Sequence, residues 1–85
     1  MKIAIAADHG GYRLKDELIP YIEGLGHSVK DLGTNSADSV DYPDYAAACA
    51  RAVVSGEADR GIVICGTGIG ISIAANKIKG VRCGL

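Results

Sequence analysis

The chain is short, nearly neutral and moderately hydrophobic, and these properties exclude several classes of protein. Its 85 residues suffice for one small domain with a modest core. A net charge of -1 offers no basic surface for nucleic acid, and no apolar run approaches the length of a membrane span. The apolar run near the N-terminus is also too short for a signal peptide, so we expect a cytoplasmic protein without nucleic-acid or membrane partners.

A change of hydrophobic period marks the first strand and the first helix. Residues 3–7 form a short apolar run that Asp-His-Gly-Gly closes at residues 8–11, which predicts a strand followed by a turn. Apolar residues then recur at helical spacing up to the glycines at positions 24 and 26, namely Leu14, Leu18, Ile19, Ile22 and Leu25. Pro20 lies inside this pattern and predicts a kinked or shortened helix.

A second strand and a second helix follow, joined by a polar loop. Residues 29–32 predict a weak strand, and residues 33–39 are turn formers. Asp41 is suited to the N-cap of a helix that the alanine-rich residues 45–54 continue and that Gly56 ends.

The rest of the chain predicts a third strand and helix and the start of a fourth strand, at residues 62–65, 69–78 and 81–85. Strands that alternate with helices at this spacing predict right-handed crossovers and a parallel sheet. The expected fold is a Rossmann-like α/β domain of three layers, with helices on both faces of the sheet. Because no helix follows the fourth strand, we expect residues 1–85 to be a single incomplete domain, cut from a longer protein.

The most informative segment is the glycine-rich loop between the third strand and the third helix. Residues 65–72 read Cys-Gly-Thr-Gly-Ile-Gly-Ile-Ser, so backbone N–H groups collect at a helix N-terminus, where negative charge is favoured. Cys65 is the one side chain of this loop with nucleophilic or basic chemistry. It follows the carboxyl end of a strand, where α/β sheets bind ligands, and is therefore a candidate catalytic residue; the alternative is a small buried hydrophobic side chain.

The spacing of this loop excludes three known loop chemistries. A Walker loop needs lysine after its second glycine, but Thr67 follows Gly66. A dinucleotide fingerprint needs its third glycine at position 71 and a cysteine phosphatase loop needs arginine there, but residue 71 is isoleucine. A thiol beside backbone donors suits proton abstraction next to a carbonyl, with Cys65 as general base and the loop N–H groups holding the enediolate oxygen.

The other two cysteines predict core positions. Three cysteines without a Cys-x-x-Cys pair fit neither a disulfide framework nor a zinc ribbon. Cys49 lies in the alanine-rich helix and Cys83 in the predicted fourth strand, so we expect both to be reduced and packed in the core.

A second polar cluster follows the first strand, at Asp8 and His9. If the first and third strands are adjacent, the loops after them form one crevice and these two side chains face Cys65. The alternatives are a helix cap for Asp8 and a solvated turn residue for His9. Tyr42 opens the second helix, where either its hydroxyl reaches the crevice or its ring packs against the fold.

Three motifs together resemble the ribose/galactose isomerase family, and within it the type B ribose-5-phosphate isomerases. They are Asp-His-Gly-Gly-Tyr with Leu-Lys at residues 8–15, Asp-Tyr-Pro at residues 41–43, and Cys-Gly-Thr-Gly-Ile-Gly-Ile-Ser-Ile-Ala-Ala-Asn-Lys at residues 65–77. The similarity runs the whole length of the chain, and the third motif is highly specific.

The resemblance implies an aldose-ketose isomerase that interconverts ribose 5-phosphate and ribulose 5-phosphate as a homodimer, without metal or cofactor. It implies that Cys65 moves the proton between C1 and C2 and that Thr67 brings a hydroxyl near the substrate. It also implies a set of substrate-binding residues: Asp8, His9, Tyr42, Gly66, Gly68, Ile69 and Gly70.

Two alternatives remain open, because family members continue well beyond residue 85. The segment that follows in the family holds a histidine assigned to ring opening, an asparagine contact and the arginines that bind the phosphate. One alternative is a galactose-6-phosphate isomerase subunit, which uses similar motifs on a larger sugar. The other is a non-catalytic sugar-phosphate-binding fragment, since these 85 residues lack those arginines.

Overall fold

A three-stranded parallel sheet forms the centre of the structure, a computed structural model that describes residues 1–35 and 38–85. Its strands are β1 (Lys2–Ala7), β2 (Ser28–Asp31) and β3 (Arg60–Ile64), in the order β2-β1-β3. The central position of β1 explains its continuous apolar sequence, because both of its faces are covered. The predicted parallel sheet, with the first and third strands adjacent, is confirmed.

Helices cover both faces of the sheet and complete the predicted three layers. They are α1 (Tyr12–Gly24), α2 (Tyr42–Val54) and α3 (Ile69–Asn76). Side chains of β1 alternate between the two faces, so that Ile3 and Ile5 pack under α1 while Ala4 and Ala6 pack under α2. In the described residues, no helix has the length and apolar content needed to cross a membrane.

Close packing of α2 on β3 places Cys49 in the core, as predicted. A Cβ atom on Gly61 of β3 would lie 2.8 Å from the Cys49 sulfur, so the glycine makes room for the thiol. The sulfur lies 3.6 Å from the carbonyl oxygen of Ala4 and 3.7 Å from that of Ile62, to which it donates. Burial raises the pKa of Cys49 to about 11, so this thiol is neutral at physiological pH.

The helix α1 differs from the prediction in two respects. It continues through Pro20 to Gly24 without being shortened, because Leu18, Ile19 and Ile22 on either side of the exposed Pro20 pack on the sheet. The second difference is at its start, where Leu14 is 49% exposed and Lys15 is fully buried. Lys15 therefore occupies a position of the inward stripe that continues with Leu18, Ile19 and Ile22.

The predicted fourth strand is wrong, because residues 81–85 are irregular. The side chain of Asn76 takes the place of a neighbouring strand: its amide donates to the carbonyl oxygen of Cys83 at 2.9 Å, and the N–H of Cys83 donates back at 2.8 Å. Cys83 packs against Ala46 and Ile71 in the core, but not from a strand. A groove of about 350 Å³ lies between this segment and β3.

The polar loop predicted at residues 33–39 is confirmed at residues 33–35, which form no helix or strand. Residues 36 and 37 of that prediction lie outside the described residues. The remaining boundaries move by one or two residues: β2 begins at Ser28, β3 ends at Ile64, and α3 ends at Asn76.

We predict that Gly11→Ala destabilises the fold by about 1–3 kcal/mol, because the added methyl group overpacks the sheet. A Cβ atom at this position would lie 2.6 Å from the carbonyl oxygen of Ile64 and 2.7 Å from its Cγ2. Ile64 is paired with β1 and cannot move away. Urea unfolding measures the change in the free energy of unfolding.

The control is Gly24→Ala at the end of the same helix, where an added Cβ meets nothing within 4 Å. This variant should be as stable as the wild type or slightly more stable. Equal free energies of unfolding for Gly11→Ala and the wild type would contradict the packing argument.

Candidate active site

Cys65 lies in a tight turn between β3 and α3. Gly68 adopts the left-handed conformation, with φ of 79°, immediately before the first helical residue. This turn aims the N–H of Gly68 at the Cys65 sulfur, at a distance of 3.1 Å. The residue is half-buried. An N–H group that donates to sulfur is a favourable partner for a thiolate, so the turn is suited to hold negative charge at this position.

The hydrogen bonds of the loop determine which of its N–H groups remain for a ligand. Ile69 donates its N–H to the hydroxyl oxygen of Thr67 at 3.2 Å, and Gly68 donates to Cys65. In the described part of the chain, the N–H groups of Gly66 and Thr67 donate to no protein group. A Cβ atom on Gly66 would meet nothing within 4 Å, so this end of the loop is open to a bound molecule.

Asp8 is buried at the end of β1 and shapes the turn that follows. Its Oδ1 accepts the N–H of Gly10 at 2.9 Å, and its own N–H donates to the carbonyl oxygen of Ile64 at 3.1 Å. The carboxylate therefore forms an Asx turn and is not the predicted alternative, a cap of α1. The N-cap residue of α1 is Gly11, which has no side chain to serve as a cap.

His9 lies in this turn and is exposed. Its Nδ1 accepts the N–H of Val40 at 3.3 Å. This contact leaves the other ring nitrogen, Nε2, for a ligand. The predicted alternative of a solvated turn residue agrees with this exposed position in a turn, but His9 also bonds the segment before α2 to the end of β1.

The loop after β1 contacts the loop after β3, as expected for adjacent strands. A Cβ atom on Gly10 would lie 3.4 Å from the backbone nitrogen of Gly66, so the two loops are in van der Waals contact. Asp8 and Cys65 each extend from one of these loops at the same edge of the sheet. The two clusters that the sequence singled out therefore lie at the same edge of the sheet.

Tyr42, the first residue of α2, packs its ring against the start of α3. A Cβ atom on Gly70 would lie 2.9 Å from Cζ and 3.0 Å from the hydroxyl oxygen of Tyr42. Of the two predicted alternatives, packing of the ring is present. The side chain remains 39% exposed, so the ring also forms a wall beside the glycine loop.

One polar cluster near this edge of the sheet was not predicted from the sequence. The buried ammonium group of Lys15 contacts three oxygens, from Asp16, Asp31 and Asn35, each at 2.9 Å. A signal was present in the sequence, because Lys15 precedes Leu18 and Ile19 by three and four residues and so shares their face of the helix. A lysine at an inward position of an amphipathic helix indicates that carboxylates lie nearby.

The groups assembled at this edge are a thiol, a carboxylate, an imidazole, a hydroxyl, a phenol and two free N–H groups. Such a set can move protons and stabilise a developing oxyanion. Within residues 1–35 and 38–85, no three histidine, cysteine, aspartate or glutamate side chains are grouped so as to hold a metal ion.

Known proteins resemble the chain over nearly all of its length. The sequence model of the Ribose/Galactose Isomerase family matches residues 3–85. Ribose-5-phosphate isomerase B of Escherichia coli is 53% identical over 81 residues, which cover 95% of this chain and 54% of that protein. The galactose-6-phosphate isomerase subunit LacB of Clostridium acetobutylicum is 45% identical over 85 residues, which cover 100% of this chain and 49% of that one.

The fold is also shared with a solved structure, that of Clostridium thermocellum ribose-5-phosphate isomerase B. It superposes with a TM-score of 0.95 and 60% sequence identity, covering 96% of this chain and 55% of the other. The chain thus spans about half the length of the curated relatives it matches.

Proposed function

Since the chain belongs to the ribose/galactose isomerase family, we propose that the protein interconverts ribose 5-phosphate and ribulose 5-phosphate, with Cys65 as the base. The observation that supports this most directly is the Cys65 sulfur at the end of β3, which accepts the N–H of Gly68 at 3.1 Å. The identity with ribose-5-phosphate isomerase B of Escherichia coli favours the five-carbon substrate.

The reaction moves one proton between neighbouring carbons. The Cys65 thiolate takes the C2 proton of the open-chain aldose, the C2–H electron pair forms the C1–C2 double bond, and the C1 carbonyl oxygen becomes an enediolate oxygen. The thiol then returns the proton to C1, and the C2 hydroxyl proton passes to O1, which leaves the C2 ketone. Reduction at C1 balances oxidation at C2 within one molecule, so the step needs no redox cofactor.

The open end of the glycine loop is suited to hold the enediolate oxygen. The N–H groups of Gly66 and Thr67 are free of protein partners in the described residues, and both lie beside Cys65. Donors fixed in advance stabilise charge that develops in the transition state more than charge in the ground state. Thr67 accepts a hydrogen bond from Ile69 through its oxygen, which leaves its hydroxyl proton to donate to the substrate.

The neighbouring side chains form the substrate-binding side of the same crevice. The exposed His9 offers Nε2 to a sugar hydroxyl, and Asp8 offers the carboxylate oxygen that does not bind Gly10. Tyr42 and Gly70 close the crevice on the side of α3. Gly68 and Ile69 contribute by fixing the shape of the loop, since their own N–H groups are used inside it.

We predict that Cys65→Ala lowers the exchange of the C2 proton with solvent by about 10²–10⁴-fold, because the general base is lost. Binding of ribose 5-phosphate, measured by calorimetry, should remain. The native protein at its full length is the sample for both measurements.

The matched control is Cys83→Ala. Cys83 is also half-buried, but its backbone hydrogen bonds join it to Asn76 at the end of α3 and not to the glycine loop. It should keep wild-type exchange. Turnover that survives in Cys65→Ala would reject the thiol as the base.

A six-carbon substrate is the second candidate, favoured by the 45% identity with the galactose-6-phosphate isomerase subunit of Clostridium acetobutylicum. We expect kcat/KM to be higher for ribose 5-phosphate than for galactose 6-phosphate. The opposite ranking would replace the five-carbon assignment. Binding of either sugar phosphate without turnover would instead support a non-catalytic binding role.

We further propose that the protein is a homodimer. The helix α3 is apolar on two sides: Ile71 and Ala75 pack inward, while Ile69 and Ile73 are 53% and 54% exposed and lie one turn apart. Exposed apolar strips of this kind are typical of surfaces that pair. Sedimentation should give twice the mass of one chain for the wild type and a lower mass for Ile73→Glu; a monomeric wild type would contradict the proposal.

A further inference from the structure

We propose that Lys15 is a positioning residue, whose buried ammonium group holds the β2–α2 loop, described at residues 32–35 and 38–41, against the end of β1 and so places His9 and Tyr42 for the substrate. This role rests on the proposed isomerase function, in which His9 and Tyr42 belong to the substrate-binding side of the crevice. Three observations carry the inference: the saturation of the ammonium group, the position of its partners and the attachment of the loop to β1.

The ammonium group of Lys15 has no capacity left for a ligand. An ammonium group carries three N–H donors, and here each has an acceptor at 2.9 Å, on Asp16, Asp31 and Asn35. The side chain is 0% exposed. Lys15 therefore does not bind the substrate phosphate directly, and its effect on the reaction passes through the residues that it holds.

The three acceptors belong to different parts of the fold. Asp16 is the next residue of α1, Asp31 ends β2, and Asn35 lies in the β2–α2 loop. Asp31 binds the ammonium group through Oδ2 and accepts the N–H of Gly33 through Oδ1, at 2.9 Å in both cases. One cation thus ties α1 to the end of β2 and to the first part of the loop.

The loop is attached to Ala7 of β1 and to the turn that follows β1. Near its start, Thr34 donates its N–H to the carbonyl oxygen of Ala7 at 2.7 Å, and Gly33 accepts the N–H of Ala7. Near its end, Val40 donates its N–H to His9. Ala7 and His9 flank Asp8. A displacement of the loop would therefore move Asp8 and His9, which form the proposed substrate-binding side of the crevice.

The loop also leads into α2 at Tyr42, whose ring contacts Gly70 of α3. Its position therefore affects the wall beside the glycine loop as well. Cys65 itself is held by hydrogen bonds within its own turn and not by the loop. Loss of the Lys15 contacts should consequently disturb substrate binding more than proton transfer.

Charge keeps this arrangement intact over the neutral pH range. Burial lowers the pKa of Lys15, but the hydrogen bonds and negative charges of Asp31 and Asp16 outweigh burial and leave that pKa raised. A raised lysine pKa contributes stability that is complete below the ordinary lysine range and is lost as the pH rises through the folded-state value.

The test compares three variants of the full-length protein. Lys15→Met removes the charge at similar length, and Asn35→Ala removes one acceptor, the side-chain oxygen of the exposed Asn35, while leaving the ion pairs of Lys15 in place. Lys30→Met is the matched control. Lys30 precedes Asp31 in β2, but its side chain pairs with Glu57 and not with the Lys15 cluster, in a hollow that Lys2 and Ser28 also line.

We expect KM for ribose 5-phosphate to rise about tenfold in Lys15→Met and about threefold in Asn35→Ala, with kcat within about twofold of wild type in both. Lys30→Met should keep both constants. A merely structural role would lower the amount of active protein and leave KM unchanged. Because Lys15→Met also leaves the Asp31 carboxylate unpaired, Asn35→Ala separates lost positioning from lost stability.

A second measurement is independent of activity. In ¹⁵N–¹H spectra, Asn35→Ala should shift the amide signal of Val40, and Lys30→Met should not. Unchanged KM in an active, folded Asn35→Ala variant, or an unchanged Val40 signal, overturns the positioning role. A wild type that shows no turnover overturns the proposed function instead, and the spectra still decide whether Lys15 and Asn35 set the position of the loop.

Discussion

The contact between the carboxyl ends of β1 and β3 is the constraint on which the site depends. Asp8 continues the ladder beyond β1 by donating its N–H to Ile64, and Gly11 lies so close to Ile64 that a side chain has no space. Parallel strands that are adjacent release their loops at the same edge. Backbone contacts alone therefore bring the Asp8 turn beside the Cys65 turn, without any contribution from the polar side chains of the two turns.

A buried cation connects this edge to the rest of the fold. Transferring an ammonium group out of water is costly, and a buried ion pair adds little net stability when compared with apolar packing. Lys15 therefore contributes mainly by fixing geometry and not by adding stability. Its three acceptors at 2.9 Å allow one arrangement of α1, β2 and the β2–α2 loop. The hydrophobic contacts of Ile5 and Ile22 would tolerate small shifts that these hydrogen bonds do not.

The sequence predicted the fold where local pattern and tertiary contacts agree. The apolar run of β1, and the glycines that mark where strands and helices end, predicted the parallel sheet and its layers. The helix is not shortened at Pro20, and Lys15 occupies the inward position for which Leu14 was predicted, because helix continuity and lysine burial depend on partners that lie elsewhere in the chain. Residues 81–85 have the composition of a strand, but a strand needs a partner with free backbone groups, and here the side chain of Asn76 takes that place.

For the site, the sequence predicted the chemical groups and the edge at which they gather, but not the hydrogen bonds among them. Nothing in a linear pattern distinguishes the N–H of Gly66, which is open, from the N–H of Gly68, which donates to sulfur. That distinction arises from the left-handed turn at Gly68. The role of Nδ1 of His9 as an acceptor likewise depends on Val40, which lies 31 residues further along the chain.

The two sides of the crevice are consequently held by different means. The Cys65 turn is fixed by its own hydrogen bonds at the start of α3, whereas His9 and Tyr42 depend on a loop that a distant ammonium group secures. Sequence changes in the loop would therefore alter the proposed sugar-binding side and leave the Cys65 turn unchanged. The names of the two similar isomerases record sugars of different length, ribose 5-phosphate and galactose 6-phosphate.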